Sequence, residues 1–347
     1  MTPAARVQAA IELLDAIIDA AKSEGAPADR IISQYFRNRR YAGSKDRRAV
    51  REMVYKAIRI CGEVPQSGRA AMLLLAQDEP ANKELFDGST HGPTPIVEGE
   101  AVARRGIVPD WLANELTESD VLPSVWELSM ARAPLDIRVN SLTADRSMIE
   151  LPVEGEHLAA PNALRLPAGT QVEQWDAYRE GRIEIQDHGS QLACLAANAQ
   201  PGETVVDLCA GAGGKTLALA AAMQNTGELV ASDTDRSRLK NLDPRAKRAG
   251  LTNLQMCLLD PKRELETLKE YVRRADLVLV DAPCSGTGTL RRKPEAKWRL
   301  TPDRLTRYAG IQDHVLDVAT ELTKPGGRIA FVTCSLLDKE GPDRIDA

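Results

Sequence analysis

The chain has 347 residues, a formal net charge of −5 and only 4% aromatic residues. Its length suggests two or three domains with a sizeable buried core, and it offers neither a signal-peptide core nor an apolar run of about eighteen residues for a membrane span. Its six cysteines and four histidines form no CxxC pair and no zinc-finger spacing, which excludes a disulfide framework and gives no expected metal; unpaired thiols fit a reducing cytoplasm.

From the N-terminus, Val7, Ala10, Ile11, Leu14, Ile17, Ile18 and Ala21 recur at helical spacing until GAP at 25–27 breaks the pattern. RIISQYFRNRR reads as a second helix. GSKDRRAVREMVYKAIRI reads as a third, with Ser44 as its N-cap and Val50, Met53, Val54, Ala57 and Ile58 on its inner face. Between Arg30 and Arg59 there are ten basic and two acidic residues, a patch suited to phosphates although the whole chain is acidic. Residues 1–128 are therefore expected to form a helical domain, with 86–96 as a loop inside it.

Past Pro134, LDIRVN, ALRLP and RIEIQD predict short strands, giving a small bridging α+β region over 129–185. From 186 to 347 strands and helices alternate. TVVDLC, ELVASD, LQMCL, ADLVLVDAP and GRIAFVTCS are five apolar strands separated by helical segments, the last preceded by IQDHVLDVATEL and a KPGG turn. This pattern predicts a parallel sheet covered on both faces. Ligands of such sheets sit outside the carboxyl ends of the strands, where Asp207, Asp233, Asp281 and Cys334 fall.

DLCAGAGGKT follows the first strand and opens a helix. Cys209 stands where a phosphate-binding P-loop needs its first glycine, and Thr216 where a dinucleotide loop needs its third, so both patterns fail. S-adenosylmethionine, which has a ribose and a charged tail but no phosphate, fits better. Asp233 is placed to take its ribose hydroxyls, Asp207 its amino-acid end and Asp260 its adenine amino group. Cys61, Cys194, Cys209 and Cys257 read as small buried hydrophobes. Cys284 and Cys334 differ, since both follow strand tips in glycine- or turn-rich stretches. A thiol beside a methyl donor suits attack on carbon 6 of a pyrimidine, which makes carbon 5 nucleophilic, with an acid near ring nitrogen 3 absorbing charge. Spacing alone does not say which cysteine attacks. It also leaves two rivals: an RNA-binding protein that keeps a donor pocket without catalysis, and a methyltransferase acting on a purine.

DLCAGAGGKT, DAPCSGTGTLRRKPEAKW and TCSLLDKE closely resemble the Sun/Fmu family of RNA cytosine-5 methyltransferases. IQDHGSQLA is similar to that family's linker into the catalytic domain, and RVN at 138–140 to a further motif. YAGSKDRRAVREMVYKAIR resembles the NusB-like RNA-binding domain of its bacterial ribosomal RNA branch. The resemblance implies a class I (Rossmann-like) S-adenosylmethionine-dependent methyltransferase domain behind an all-helical NusB-like domain. It implies Cys334 as nucleophile, Cys284 as the cysteine assisting release, Asp281 as the acid on the target cytosine and Lys215 as an aid to its placement. Donor contacts are expected from Asp207, Cys209, Ala210, Gly211, Ala212, Gly213, Gly214, Lys215, Asp233, Asp260 and Asp281. RNA contacts are expected from Arg37, Arg39, Arg40, Arg47, Arg48, Arg51, Arg291, Arg292, Lys293 and Lys297, on 16S ribosomal RNA as substrate, by a cytoplasmic monomer. Ala212 and Lys293 stand where the family often has proline and histidine. The chain stops at DRIDA, soon after the fifth strand, where family domains continue with a helix and two antiparallel strands, so a domain lacking those strands is expected.

Overall fold

The structure is a computed structural model and describes residues 1–129 and 131–345. The chain packs into two units, neither a single stretch of sequence. One comprises Met1–Arg132, Ser285–Leu305 and Cys334–Lys339, and the other Ala133–Cys284, Thr306–Thr333 and Glu340–Ala347.

The first unit is helical. Helices α1 (Pro3–Lys22), α2 (Ala28–Arg37), α3 (Ser44–Ile60), α4 (Gly68–Asp78), α5 (Asp110–Glu118) and α6 (Pro123–Ser129) carry it. The seven apolar residues anticipated in α1 are all buried, as the spacing requires. The start of α3 differs by one residue. Gly43 is its N-cap, and Asp46, three residues on, accepts the Gly43 N–H at 3.3 Å. Ser44 is the first helical residue, so the cap comes from a carboxylate reaching back rather than from a hydroxyl.

Residues Pro294–Arg299 plug this helical core. Glu295 accepts the N–H of Ala28, at the start of α2, at 3.3 Å. Lys297 donates to the carbonyls of Arg59 and Ile107 at 3.2 and 2.7 Å, and the Trp298 indole N–H donates to Cys61 O at 3.2 Å. Arg299 donates to the carbonyls of Gly25 and Ala26 at 2.8 and 2.5 Å. Helix ends leave backbone groups without intrahelical partners. Here a distant segment meets those of α2 and α3.

The second unit begins with an antiparallel sheet. Strands β1 (Leu135–Val139), β2 (Glu156–His157), β3 (Ala163–Leu166) and β4 (Ile183–Ile185) lie in the order β2-β3-β1-β4. Only β2 was not anticipated; two exposed residues carry no alternation to read. Helices α7 (Asp176–Arg179) and α8 (His188–Ala197) flank β4 in sequence. The main sheet follows, with β5 (Thr204–Asp207), α9 (Gly214–Ala222), β6 (Glu228–Asp233), α10 (Arg236–Ala249), β7 (Leu254–Leu258), α11 (Glu264–Thr267), β8 (Ala275–Asp281), α12 (Pro302–Leu322) and β9 (Thr323–Val332). A last short helix, α13, spans Pro342–Ile345.

The five strands are all parallel, in the order β7-β6-β5-β8-β9. The order reverses between β5 and β8, which makes their carboxyl ends the binding crevice. Buried apolar residues of both faces, such as Val206, Val230 and Val278 on one and Val205, Leu229 and Leu277 on the other, explain the continuous apolar runs. Two boundaries differ from expectation. Helix α12 starts at Pro302, nine residues before the anticipated Ile311, running through Gly310; burial of Leu305 offsets the roughly 1 kcal/mol helical cost of glycine. The KPGG turn lies inside β9, whose register jumps from Thr323 opposite Ala275 to Arg328 opposite Leu277.

Candidate active site

Asp207 ends β5 and is fully buried. One oxygen accepts the Thr216 hydroxyl at 2.6 Å, while Oδ1 has no hydrogen-bond partner among the described residues. Burial pushes this carboxyl up to about 7, against the Thr216 hydrogen bond and with the help of the Asp281 charge. The loop 208–213 then turns into α9. Gly213 has φ +84°, and a Cβ there would lie 2.0 Å from Leu242 Cδ1, so glycine is required twice over. The Ala212 carbonyl accepts from Arg245 at 2.5 Å and the Gly214 carbonyl from Gln186 at 3.1 Å. Gln186 in turn accepts from Arg138, of the RVN motif, at 2.7 Å.

Asp233 ends β6 and accepts the N–H of Gly211 at 2.7 Å with one oxygen and that of Asp235 at 2.7 Å with the other. Asp260 lies two residues beyond β7, two-thirds exposed, with its carboxylate 3.7 Å from Arg263. The preceding residue, Leu259, donates its N–H to Asp233 O at 2.9 Å, which places Asp260 beside the end of β6. Asp281 ends β8, and Lys215, second residue of α9, lies 2.6 Å from its carboxylate.

This crevice therefore presents carboxylates at the ends of β5, β6 and β8 and one lysine already paired. Such a field repels phosphate and favours a cationic ligand. S-adenosylmethionine fits: the buried, unpartnered Asp207 Oδ1 suits its ammonium, Asp233 its ribose, and the glycine loop leaves Gly214 with nothing within 4 Å of a Cβ position. Cys209 lies in this loop, and its thiol is pushed well up by burial and then by the carboxylates of Asp207, Asp233 and Asp281. Cys61 and Cys194 are likewise buried and pushed up to about 11 by burial.

Cys284 follows β8 by three residues and is partly buried. The next residues, Ser285–Thr289, interlock with the segment that follows β9. Gly288 donates its N–H to Cys334 O at 2.9 Å, Leu336 donates its N–H to Thr287 Oγ1 at 2.8 Å, and the Ser285 and Ser335 hydroxyls lie 3.1 Å apart. Cys334 is exposed, and a Cβ at Gly286 would lie 3.9 Å from its sulfur. β8 and β9 are paired neighbours, through Asp281 opposite Val332, so the two cysteine motifs follow adjoining strand ends as their order in the sequence suggested.

The basic residues divide. Arg37, Arg40, Arg48, Arg51, Arg292 and Lys293 are exposed. Arg39 is half-buried against Tyr35 and paired with Glu12 at 3.2 Å, and Arg47 donates to Ala42 O at 2.8 Å. Lys297 contradicts its expected role. It is fully buried with its ammonium on two carbonyls, so it cannot reach a phosphate. Trp298 packs in the helical core rather than presenting a stacking face. Sequence reading also missed Thr216, Arg245 and Gln186. The first stands next to the flagged Lys215, whereas Arg245 carries no signal in a polar helix.

A parallel sheet in this order, with a glycine loop after β5 and acids at its strand ends, is the Rossmann-like methyltransferase fold. Residues 194–347 match the family described as 16S rRNA methyltransferase RsmB/F. The probable ribosomal RNA small subunit methyltransferase B of Bacillus subtilis (strain 168) is 32% identical over 248 residues, covering 69% of this chain and 55% of that protein. The chain thus spans little more than half the length of the curated relatives it matches. Among solved structures, the crystal structure of PH0851 aligns over 100% of this chain and 89% of its own, with TM-score 0.74 and 24% identity. A methyltransferase homolog protein from Pyrococcus horikoshii aligns over 68% of this chain and 77% of its own, with TM-score 0.58 and 26% identity.

Proposed function

We propose that the protein transfers a methyl group from S-adenosylmethionine to carbon 5 of a cytosine in 16S ribosomal RNA. The observation that carries this reading is the interlock of Ser285–Thr289 with Cys334–Leu336, in a chain that also carries a strand-end crevice suited to a cationic, phosphate-free donor. The named small-subunit methyltransferase relatives support the substrate class.

In this reading the donor supplies an electrophilic methyl group. The Cys334 thiolate bonds to cytosine carbon 6, and the electron pair released toward carbon 5 forms the new carbon–methyl bond as the sulfur–methyl bond of the donor breaks, its electron pair staying on sulfur as a neutral thioether. Asp281, oriented by Lys215, meets the ring at nitrogen 3. Loss of the carbon 5 proton to a base then restores the ring double bond and expels the Cys334 thiolate, with Cys284 assisting release. A base held in such a pocket has left its stack. Arg37, Arg40, Arg48, Arg51, Arg292 and Lys293 position the RNA through phosphates without reading its sequence. The helical region acts as a NusB-like RNA-binding domain, and the protein works as a cytoplasmic monomer.

The test is incubation with S-adenosylmethionine and 16S ribosomal RNA, followed by nucleoside analysis. 5-Methylcytosine that disappears in Cys334→Ala, with donor binding retained, is the expected result. A methylated purine, or unchanged product from Cys334→Ala, rejects the reading.

A further inference from the structure

Gln312 is a fully buried amide on α12. Its Nε2 donates to Pro283 O at 2.9 Å and to Glu340 Oε1 at 3.1 Å. Both partners are acceptors, so the orientation of the amide is fixed by chemistry and both its N–H bonds are used. Glu340 is itself buried, at 1% exposure, six residues after Cys334 in the chain. Gln312 Oε1 is buried with no partner among the described residues. Burying an amide against a carboxylate is costly unless geometry is gained. The geometry gained is at Pro283. Its carbonyl belongs to the peptide group whose nitrogen is that of Cys284, so Gln312 sets the plane from which the Cys284 side chain departs.

We infer that Gln312, held by Glu340, is a positioning residue for Cys284 and acts at the release step. The inference rests on the reading of Cys284 given above. The amide of Gln312 clamps the 283–284 peptide, and the Glu340 carboxylate prevents the amide from rotating away. Loss of either leaves the methyl-transfer residues in place and lets the Cys284 backbone turn.

The experiment compares Gln312→Ala, Glu340→Ala and the conservative Glu340→Gln, which keeps an acceptor oxygen toward Gln312. Each is checked for folding by circular dichroism. Methylation of 16S ribosomal RNA is followed with enzyme in excess and at steady state, together with the RNA-linked protein that survives denaturing gels. The two alanine variants are expected to keep first-turnover rates within about threefold while steady-state turnover falls about tenfold to a hundredfold, and linked protein accumulates. Glu340→Gln is expected to stay near wild type. In parallel, the rate of Cys284 alkylation by iodoacetamide, read by mass spectrometry, is expected to change severalfold in the alanine variants while that of Cys334 does not.

Equal losses at first turnover and steady state overturn the inference, as does a Glu340→Gln variant as damaged as Glu340→Ala. Should an alanine variant not fold, Gln312→Asn, which withdraws the amide by one methylene, carries the same comparison. A wild type that makes no 5-methylcytosine sinks the functional reading alone; the alkylation rates then decide the positioning claim, and unchanged Cys284 reactivity in folded variants defeats it.

Discussion

Lys215 holds the carboxylate of Asp281 at 2.6 Å, the lysine from the first turn of α9 and the acid from the last residue of β8. Lys215 is largely buried and Asp281 about one-third exposed, so the pair has one face toward solvent. The lysine fixes the direction of the carboxylate, while the aspartate side chain stays about one-third exposed.

Removing the lysine leaves Asp281 free to rotate. Lys215→Met is expected to lower methyl transfer about a hundredfold, the scale of losing one preorganised charge partner. Donor affinity, measured by calorimetry, is expected to fall less than about fivefold. A large loss of donor affinity with little change in the rate at saturation would assign Lys215 to the donor instead.

Asp207 gives a pH dependence of definite sign. Its carboxyl holds its proton up to about 7 in the fold, chiefly because of burial, whereas an unfolded chain releases it near about 4. Between those values the folded state binds more protons, so unliganded stability falls as pH rises from about 4 to about 7. A donor ammonium prefers the ionised acid, so donor affinity is expected to rise with pH, by up to about tenfold per unit below about 7. Asp207→Asn is expected to flatten both profiles and weaken donor binding at about pH 8. Thermal melts and calorimetry across pH check them.

Lys297 shows the opposite case. Burial lowers its ammonium to about 7, with the Cys61 thiol raising it and Arg59 lowering it further. An unfolded lysine keeps its proton to about 10.4, so the unfolded chain binds more protons in between. Stability from this group therefore rises as pH goes from about 7 to about 10. A neutral amine has two N–H bonds, which the carbonyls of Arg59 and Ile107 receive. Lys297→Met leaves both carbonyls unmet and is expected to cost about 1–3 kcal/mol at about pH 9, less at about pH 6. Denaturant titrations at the two pH values measure the difference.

The main sheet was legible because its strands are buried on both faces and separated by helices, a pattern carried by consecutive residues. The acids at the ends of β5, β6 and β8 followed from that order, since chain order alone puts Asp207, Asp233 and Asp281 at carboxyl ends. The fate of Lys297 was not legible. Seven basic residues between Arg291 and Arg307 look like one surface patch, and nothing local distinguishes the buried one, whose acceptors lie in Arg59 and Ile107. Gln312 was hidden for the same reason: its partners Pro283 and Glu340 are 29 and 28 residues away. Pairings of that kind depend on the finished fold, as does the jump in β9, where an apparent turn is looped out of a strand.

The plug at Pro294–Arg299 has a consequence for biosynthesis. Ala28 emerges from the ribosome 267 residues ahead of Glu295, and the tail of α3 precedes Lys297 by 238. The earliest helices are thus synthesised more than two hundred residues before the groups that cap them, and they wait, frayed at those ends, while the intervening chain is made. A nascent chain halted before residue 294 is an unfinished helical bundle, exposed to chaperones and proteases, and its protection begins only when the segment Pro294–Arg299 arrives.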